Sequence, residues 1–306
     1  MYIIVNFLLV LKKKGINKFY METLLEVKSL RKKYSNFLLK DISFSLKSNT
    51  ITGFIGVNGS GKTTTIKLIL NLIKKDFGCI EFRGRDSTIF EKEFKNQVGF
   101  VFDSDYFYSK LTINQMKNII APSYINWNNS QFNKFLNDFN LDKNQKISFL
   151  SRGMCMKFSL ALALSHNAKL LILDEATSGL DPLVRSEVIQ ILHDLKKNNN
   201  DMSIFLSSHI TSDLDKIADR IIFINEGKII LDESKENLLI NYGLVSGKNK
   251  YINSSNKKKF IYIKEDTEHF NGLTDNLKML KSQIPNLEFT SPTIEDIMIN
   301  YIKDQS

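Results

Sequence analysis

Residues 53–64 read GFIGVNGSGKTT, and within them Gly56, Gly61, Lys62 and Thr63 fill the fixed positions of the phosphate-binding pattern G-x-x-x-x-G-K-[ST]. The apolar run Ile51–Ile55 ahead of it suits a buried strand, and Ile66, Ile69, Leu70 and Ile73 behind it recur at helical spacing. Strand, glycine loop and helix therefore follow in the order the motif requires. Gly56, Gly59 and Gly61 open backbone angles closed to other residues, so successive N–H groups can turn inward around an anion. The helix starting near Gly61 adds unpaired N–H groups and the positive end of its dipole. In such a loop Lys62 reaches the β- and γ-phosphates and the Thr63 hydroxyl holds Mg²⁺. A coincidental glycine turn would lack the matched flanks, so the expectation is a nucleotide-binding ATPase or GTPase.

A length of 306 residues allows one large domain with an appendage, or two domains. Hydrophobic content of 42% and charged content of 25% describe an ordinary globular chain. The net charge of +9 would suit nucleic acid or an acidic membrane surface. Its lysines are scattered, however, and the chain is rich in Asn and Ile, which fits a biased genome as well as a binding face. Cys79 and Cys155 are too far apart for a metal knuckle and too few for a disulfide framework, which fits a reducing cytosol. No stretch reaches the roughly 18–20 apolar residues of a membrane span. The longest apolar run, Tyr2–Leu11, is broken by Asn6 and followed by Lys12, Lys13 and Lys14, the reverse of a secretory signal. Met21 is then the expected natural start and residues 1–20 an upstream extension, with a short membrane-surface anchor as the competing reading.

Leu25, Val27 and Ser29 alternate with Glu26 and Lys28 as a short strand, and Phe44, Leu46 and Ile51 continue that texture up to the loop. Tyr34 between them is either a surface aromatic on a hairpin or a flat ring for adenine. Cys79–Phe82 and Val98–Phe102 (VGFVF) read as strands, followed by a mostly helical insert from Thr112 to about Asn167. Ser130 is the expected cap for the helix carrying Phe132, Phe135, Leu136 and Phe139, a stripe spaced for core packing. Residues 148–154, SFLSRGM, open the apolar helix of Phe158, Leu160, Ala161 and Leu164. Ser151 and Gly153 there form a helix cap first, and also a place where a second anion can dock.

Residues 170–175, LLILDE, suit a strand buried on both faces whose carboxyl end presents Asp174 and Glu175, where open α/β sheets place ligands. Beside a phosphate loop, these acids suggest that Asp174 holds Mg²⁺ through water and Glu175 polarises the attacking water. SGLDP at 178–182 leads into a helix, and His209 stands just past the strand Met202–Ser207, within reach of a γ-phosphate. His166, His193 and His269 lack such context. RIIFINEGKIILD at 220–232 reads as a hairpin turning at Glu226 and Gly227. Beyond it, Lys235–Tyr242 is helical, residues 243–259 are polar and linker-like, and Phe260–Ile263 and Leu287–Phe289 are strands. Pro292, Thr293 and Asp296 mark a capped final helix bearing Ile294, Ile297, Met298 and Tyr301.

Over about Leu25–Asp232 the order of these pieces resembles the ATP-binding subunits of ABC transporters. GVNGSGKT looks like Walker A, LLILDE like Walker B, LSRGM at Leu150–Met154 like the signature, and SGLDP like the D-loop. The resemblance implies an α/β fold, a P-loop ATPase with a mostly parallel core sheet and flanking helices, a small antiparallel β subdomain and a helical subdomain at about 104–168. On that basis residues 1–20 lie outside the core, 21–233 form the ATPase domain and 234–306 a small C-terminal α+β extension. It also implies ATP and Mg²⁺ as ligands. Gly56, Asn58, Gly59, Ser60, Gly61, Lys62, Thr63 and Thr64 would cradle the phosphates and Tyr34 would stack on adenine. Thr63, Asp174 and Asp103 would surround the metal, and Glu175, His209 and Lys62 would carry the chemistry. Two subunits, identical or paralogous, would meet head to tail, with Ser151, Gly153 and Asp181 serving across the interface. A separate integral-membrane permease, here of the type-2 exporter kind, would use that motion at the cytoplasmic face of the membrane. No nucleic acid is expected.

Two departures stand out. Arg152 and Met154 replace a glycine and the glutamine of LSGGQ, and Asp103 stands after VGFVF where the family places a glutamine. Aspartate binds a cation but is shorter and cannot donate, so slower or differently coupled hydrolysis is expected. Two alternatives remain open at this point. One is a soluble ABC ATPase acting on nucleic acid or ribosomes, for which only KKKFIY at 257–262 offers a basic stripe. The other is a weakly hydrolysing regulatory subunit paired with a paralogue.

Overall fold

The computed structural model describes residues 22–103, 107–198 and 201–304. The expected N-terminal extension of residues 1–20, with its Tyr2–Leu11 run, and the expected start Met21 lie outside the described residues.

β1 (Thr23–Lys33), β2 (Leu38–Lys47), β4 (Phe77–Phe82) and β5 (Arg85–Asp86) form an antiparallel sheet ordered β2-β1-β4-β5. β1 runs for 11 residues, well beyond the short alternating stretch expected. Ser29 sits at φ 47 where the register with β2 shifts between Val27 and Leu30. This bulge resets the alternation, so Leu24, Leu25, Val27 and Leu30 are all buried.

β3 (Ile51–Ile55), β6 (Val98–Val101), β7 (Leu170–Asp174), β8 (Ser203–Ser208) and β9 (Arg220–Asn225) form a second sheet, closed at one edge by the antiparallel β10 (Lys228–Ser234). Its order is β10-β9-β3-β8-β7-β6, with all other pairings parallel. The strand-like texture expected to run from Phe44 through Ile51 therefore splits between two sheets. β3 and β7 are buried along their whole length, because layers cover both faces of this sheet. Side-chain alternation assigns the layers. Ile51, Ile55, Leu171, Leu173, Ile204 and Leu206 join the core with Phe158 and Leu214, whereas Phe54, Ile172, Phe205 and Ile222 join Leu25, Val27 and Ile66 on the other face.

α1 (Lys62–Ile69) follows the glycine loop, and α2 (Glu91–Lys95) precedes β6. Between β6 and β7 lie α3 (Ile113–Ile120), α4 (Asn129–Asp138) and α5 (Arg152–Leu164). Thr112 starts α3 with a reciprocal capping box to Gln115. Asn128, and not the expected Ser130, caps α4, its side chain accepting from Gln131 N at 3.0 Å. Asn can make this Asx contact one step before the first turn, which leaves Ser130 inside the helix. α6 (Pro182–Asn198) and α7 (Thr211–Ile217) complete the shell on the α5 side.

The C-terminal part corrects the linker reading of residues 243–259. α8 (Lys235–Asn241) is followed by β11 (Gly243–Lys248), the short α9 (Ser254–Lys257), β12 (Phe260–Glu265), β13 (His269–Thr274), α10 (Leu277–Gln283), β14 (Glu288–Thr290) and α11 (Ile294–Asp304). The strands form an antiparallel sheet ordered β12-β13-β11-β14, in which β11 is an interior strand. Val245 inserts into a core with Phe270, Leu280 and Leu287. The lysines that suggest a linker lie at the end of this strand and beyond it, and Gly243 and Gly247 exist because a Cβ would strike Leu277 or Leu287 at 2.5 Å.

Phe205 joins the first two sheets, stacking on Phe44 at 5.5 Å and on Phe54 at 5.2 Å between ring centroids. It is fully buried. Phe205→Ala is expected to lower unfolding free energy by about 3–5 kcal/mol through lost transfer energy and a residual cavity, read as a lower urea midpoint.

Candidate nucleotide site

The parallel sheet delivers the carboxyl ends of β3, β8 and β7 side by side to one edge, where doubly wound sheets place their ligands. The glycine loop leaves β3 there and is fixed from below. A Cβ on Gly56 would lie 2.3 Å from Ile224 O and 2.5 Å from Ser60 Oγ, so this position admits no side chain. The β9–β10 turn, with Glu226 at φ 45 and Gly227 at φ 72, donates from Gly227 N to Ser60 O at 3.0 Å. Above the loop opens a cleft of about 710 Å³ lined by Tyr34, Asn58, Gly59, Gly61, Lys62, Thr63, Thr64, Asp103, Glu175 and His209, with Asn36, Phe37 and Ser178. Residues up to 175 positions apart in the chain thus meet at one edge.

Lys62 is 6% exposed, and its ammonium donates to Gly56 O at 2.8 Å and Val57 O at 3.3 Å while lying 3.2 Å from Glu175 Oε1. The other carboxylate oxygen of Glu175 is 2.5 Å from His209 Nδ1. Glu175 itself adopts φ 53, a left-handed conformation that turns its side chain away from the line of β7 and toward the loop. Ser207 ties the two acids together: its hydroxyl donates to Asp174 Oδ1 at 2.6 Å and accepts from Glu175 N at 3.1 Å. Asp174 is buried, and burial pushes its carboxyl above the usual range, opposed by hydrogen bonds from Ser207 and Thr63 and reinforced by the charge of Glu175.

Gly56 and Ser60 are buried in the loop and do not line the cleft. Ser151, Gly153 and Asp181 do not line it. Ser151 caps α5 by accepting from Met154 N at 3.2 Å, and a Cβ on Gly153 would meet Val184 at 2.5 Å. Asp181 caps α6, accepting from Leu183 N and Val184 N at 3.1 Å. Asp103 lines the cleft, yet one of its oxygens is held by Arg152 at 2.5 Å. His166 is buried against Tyr124, with ring centroids 3.9 Å apart, and burial lowers its basicity. Four residues of the site escape the sequence reading. Asn36 and Phe37 neighbour Tyr34 in one turn, and Ser178 opens the SGLDP segment, so adjacency was the available signal. Ser207 carried none.

A model of the ABC transporter family matches residues 39–178. The bacitracin transport ATP-binding protein BcrA of Bacillus licheniformis is 35% identical over 213 residues, covering 69% of this chain and 69% of that protein. The lantibiotic transport ATP-binding protein SrtF of Streptococcus pyogenes is 32% identical over 223 residues, covering 70% of this chain and 94% of the relative. A solved ATP-binding subunit of an ABC transporter superposes with a TM-score of 0.64 at 25% identity, over 71% of this chain and 92% of its own. Identity at this coverage agrees with a phosphate loop and paired carboxylates at the carboxyl edge of a parallel sheet, and the chain therefore belongs to the ABC transporter family as an ATP-binding, ATP-hydrolysing subunit.

Proposed function

We propose that this subunit binds Mg²⁺–ATP in the cleft, closes head to tail with a second ATP-binding subunit and drives a separate membrane permease that exports its cargo. The observation that carries this reading is the carboxylate of Glu175, suspended between the Lys62 ammonium and His209 at the mouth of the phosphate loop. Phosphate oxygens are the natural competitors for Lys62, because an ammonium pairs with phosphate as readily as with carboxylate. Once Lys62 turns to phosphate, Glu175 is left with the His209 ring as its side-chain partner and is free to take a proton from water, with His209 fixing its orientation. Tyr34 offers a ring at the cleft edge for the base, and Asn58 through Thr64 supply the phosphate cradle.

The donor set fits Mg²⁺. Thr63 and Asp174 already share a hydrogen bond, and both present hard oxygen atoms. Among the described residues no three His, Cys, Asp or Glu side chains gather as a metal cage, which accords with an ion that takes one or two protein oxygens and completes its shell with phosphate and water. Bound there, the ion would neutralise charge on the phosphates.

In this reading residues 21–233 form the ATPase unit with its helical arm at 104–168, and residues 234–306 an extension. Ser151, Gly153 and Asp181 lie outside the chain's own cleft, consistent with service to a partner's nucleotide. Two relatives are named for bacitracin and lantibiotic transport, which supports an exporter permease as partner and the cytoplasmic membrane face as the place of work. No described helix is long and apolar enough to cross a membrane. Against the nucleic-acid alternative, Lys257 in KKKFIY pairs with Glu265, Lys259 hydrogen-bonds Gln283, and Phe260 packs edge-on against Phe270 in the C-terminal sheet.

Glu175→Gln is expected to lower ATP turnover by about 100-fold or more and to trap a dimer in ATP and Mg²⁺ that the wild type does not accumulate, read by size exclusion. Failure of both proteins to dimerise, with ATP bound, would point to a different partner chain. Asp174→Asn is expected to abolish turnover yet raise the melting temperature of the nucleotide-free protein. The sign follows from burial: a carboxyl whose folded-state pKa is raised costs stability when ionised, and that cost disappears as pH falls through the raised value. The advantage of Asn should therefore be present at neutral pH and shrink on acidification in calorimetry.

A further inference from the structure

Arg152 occupies the first position of α5, where the helix dipole disfavours a cation and the first turn carries no acidic residue. Its guanidinium is nevertheless given a built seat. Nη2 donates to Asp103 Oδ1 at 2.5 Å, and the group packs against Gly179 with Nη1 nearest, where an added Cβ would fall 2.2 Å from Nη1 and 2.7 Å from Cζ. Gly179 is left-handed at φ 65, so any side chain there would be strained as well as obstructed. One guanidinium thus joins the end of β6, the start of α5 and the turn before α6. Asp103 and Ser178, one residue from Gly179, both line the nucleotide cleft. Both ends of the pair are half exposed, at 50% of their side-chain surface, so as a structural strut it contributes little.

We infer that Arg152 is a reserve anion-binding residue for the γ-phosphate of a partner's nucleotide, held back in the separate subunit by Asp103. This rests on the head-to-tail reading above, in which the start of α5 addresses the partner's ATP. A cation at the wrong end of a helix is electrostatically frustrated until an anion arrives, and Asp103 is the anion in the unpaired chain. An incoming phosphate offers more charge and the same bidentate geometry, so it competes with Asp103 for the guanidinium. Neutralising the two members of the pair should then have opposite effects on sandwich formation.

The test uses the full chain in the Glu175→Gln background, following ATP-dependent dimerisation by light scattering. Asp103→Asn is expected to lower the ATP concentration for half-maximal dimer by about two- to fivefold, the range of an exposed ion pair. Arg152→Gln is expected to raise it by about tenfold or more, with Arg152→Lys restoring most of the loss. In the double variant the gain from Asp103→Asn should vanish, which separates an effect through Arg152 from a mere change of charge beside the chain's own ATP. Urea unfolding of each variant checks that the fold is kept. Weakening by both single changes would identify a strut, and strengthening by both a simple latch; either would overturn this inference alone. Absence of dimers in every variant, with a fluorescent ATP analogue still bound, would overturn the self-sandwich and this inference together.

Discussion

A lysine ammonium that is 6% exposed must find anions or carbonyls, and the cleft is built around that demand. Lys62 meets it with Gly56 O, Val57 O and the carboxylate of Glu175. The two carbonyls lie in its own loop, but Glu175 comes within reach only through the parallel sheet. β3 and β7 stand two places apart with β8 between them, so the loop after one and the acids after the other open to the same edge. Ser207, at the end of β8, fills the gap and fixes both acids through one hydroxyl. Backbone strain at Glu175 completes the arrangement, since only a left-handed residue turns the carboxylate back toward the loop.

What the sequence reveals here is what is contiguous. The phosphate loop, the apolar run of β7 with its terminal acids, and the β9–β10 hairpin each carry their signal within a dozen or so residues, and each stands where its local pattern puts it. Pairings across the chain leave no such trace. The central place of β11 depends on β13 and β14, and its six residues include two glycines, so composition reads it as a linker. β13 hides for the same reason behind Asn271 and Gly272, the latter required because a Cβ would lie 2.6 Å from Tyr262 O. In the site, Asp103 and Arg152 each read as an isolated departure from family pattern. Their meaning appears only when they are found on each other, 49 residues apart.

The C-terminal sheet is not a loose appendage on this core. Ile294 and Ile297 of α11, Leu273 of β13 and Tyr242 belong to the same apolar cluster as Ile51 and Leu173 of the nucleotide-binding sheet. Tyr242 and Tyr301 share a 3.0 Å hydroxyl contact, and burial holds both phenols firmly neutral. The tail also grips α7: Ile294 N donates to Asp215 Oδ1 at 3.4 Å, and Lys235 donates to Asp215 O.

That grip has a consequence for the chemistry, because α7 begins at Thr211, two residues after His209. His209 is the exposed member of the Lys62–Glu175–His209 chain and is placed by the short segment between β8 and α7. Ser208 stiffens the segment, its hydroxyl accepting from Ile210 N at 2.9 Å. With β8 locked in the sheet and α7 clamped by α11 and Lys235, both ends of the histidine's segment are anchored in packed structure. The Glu175 carboxylate is thus oriented from one side by the phosphate loop and from the other by a histidine whose segment runs into a helix held by the C-terminal unit, so apolar packing and the two hydrogen bonds to Asp215 link the tail to the nucleotide site.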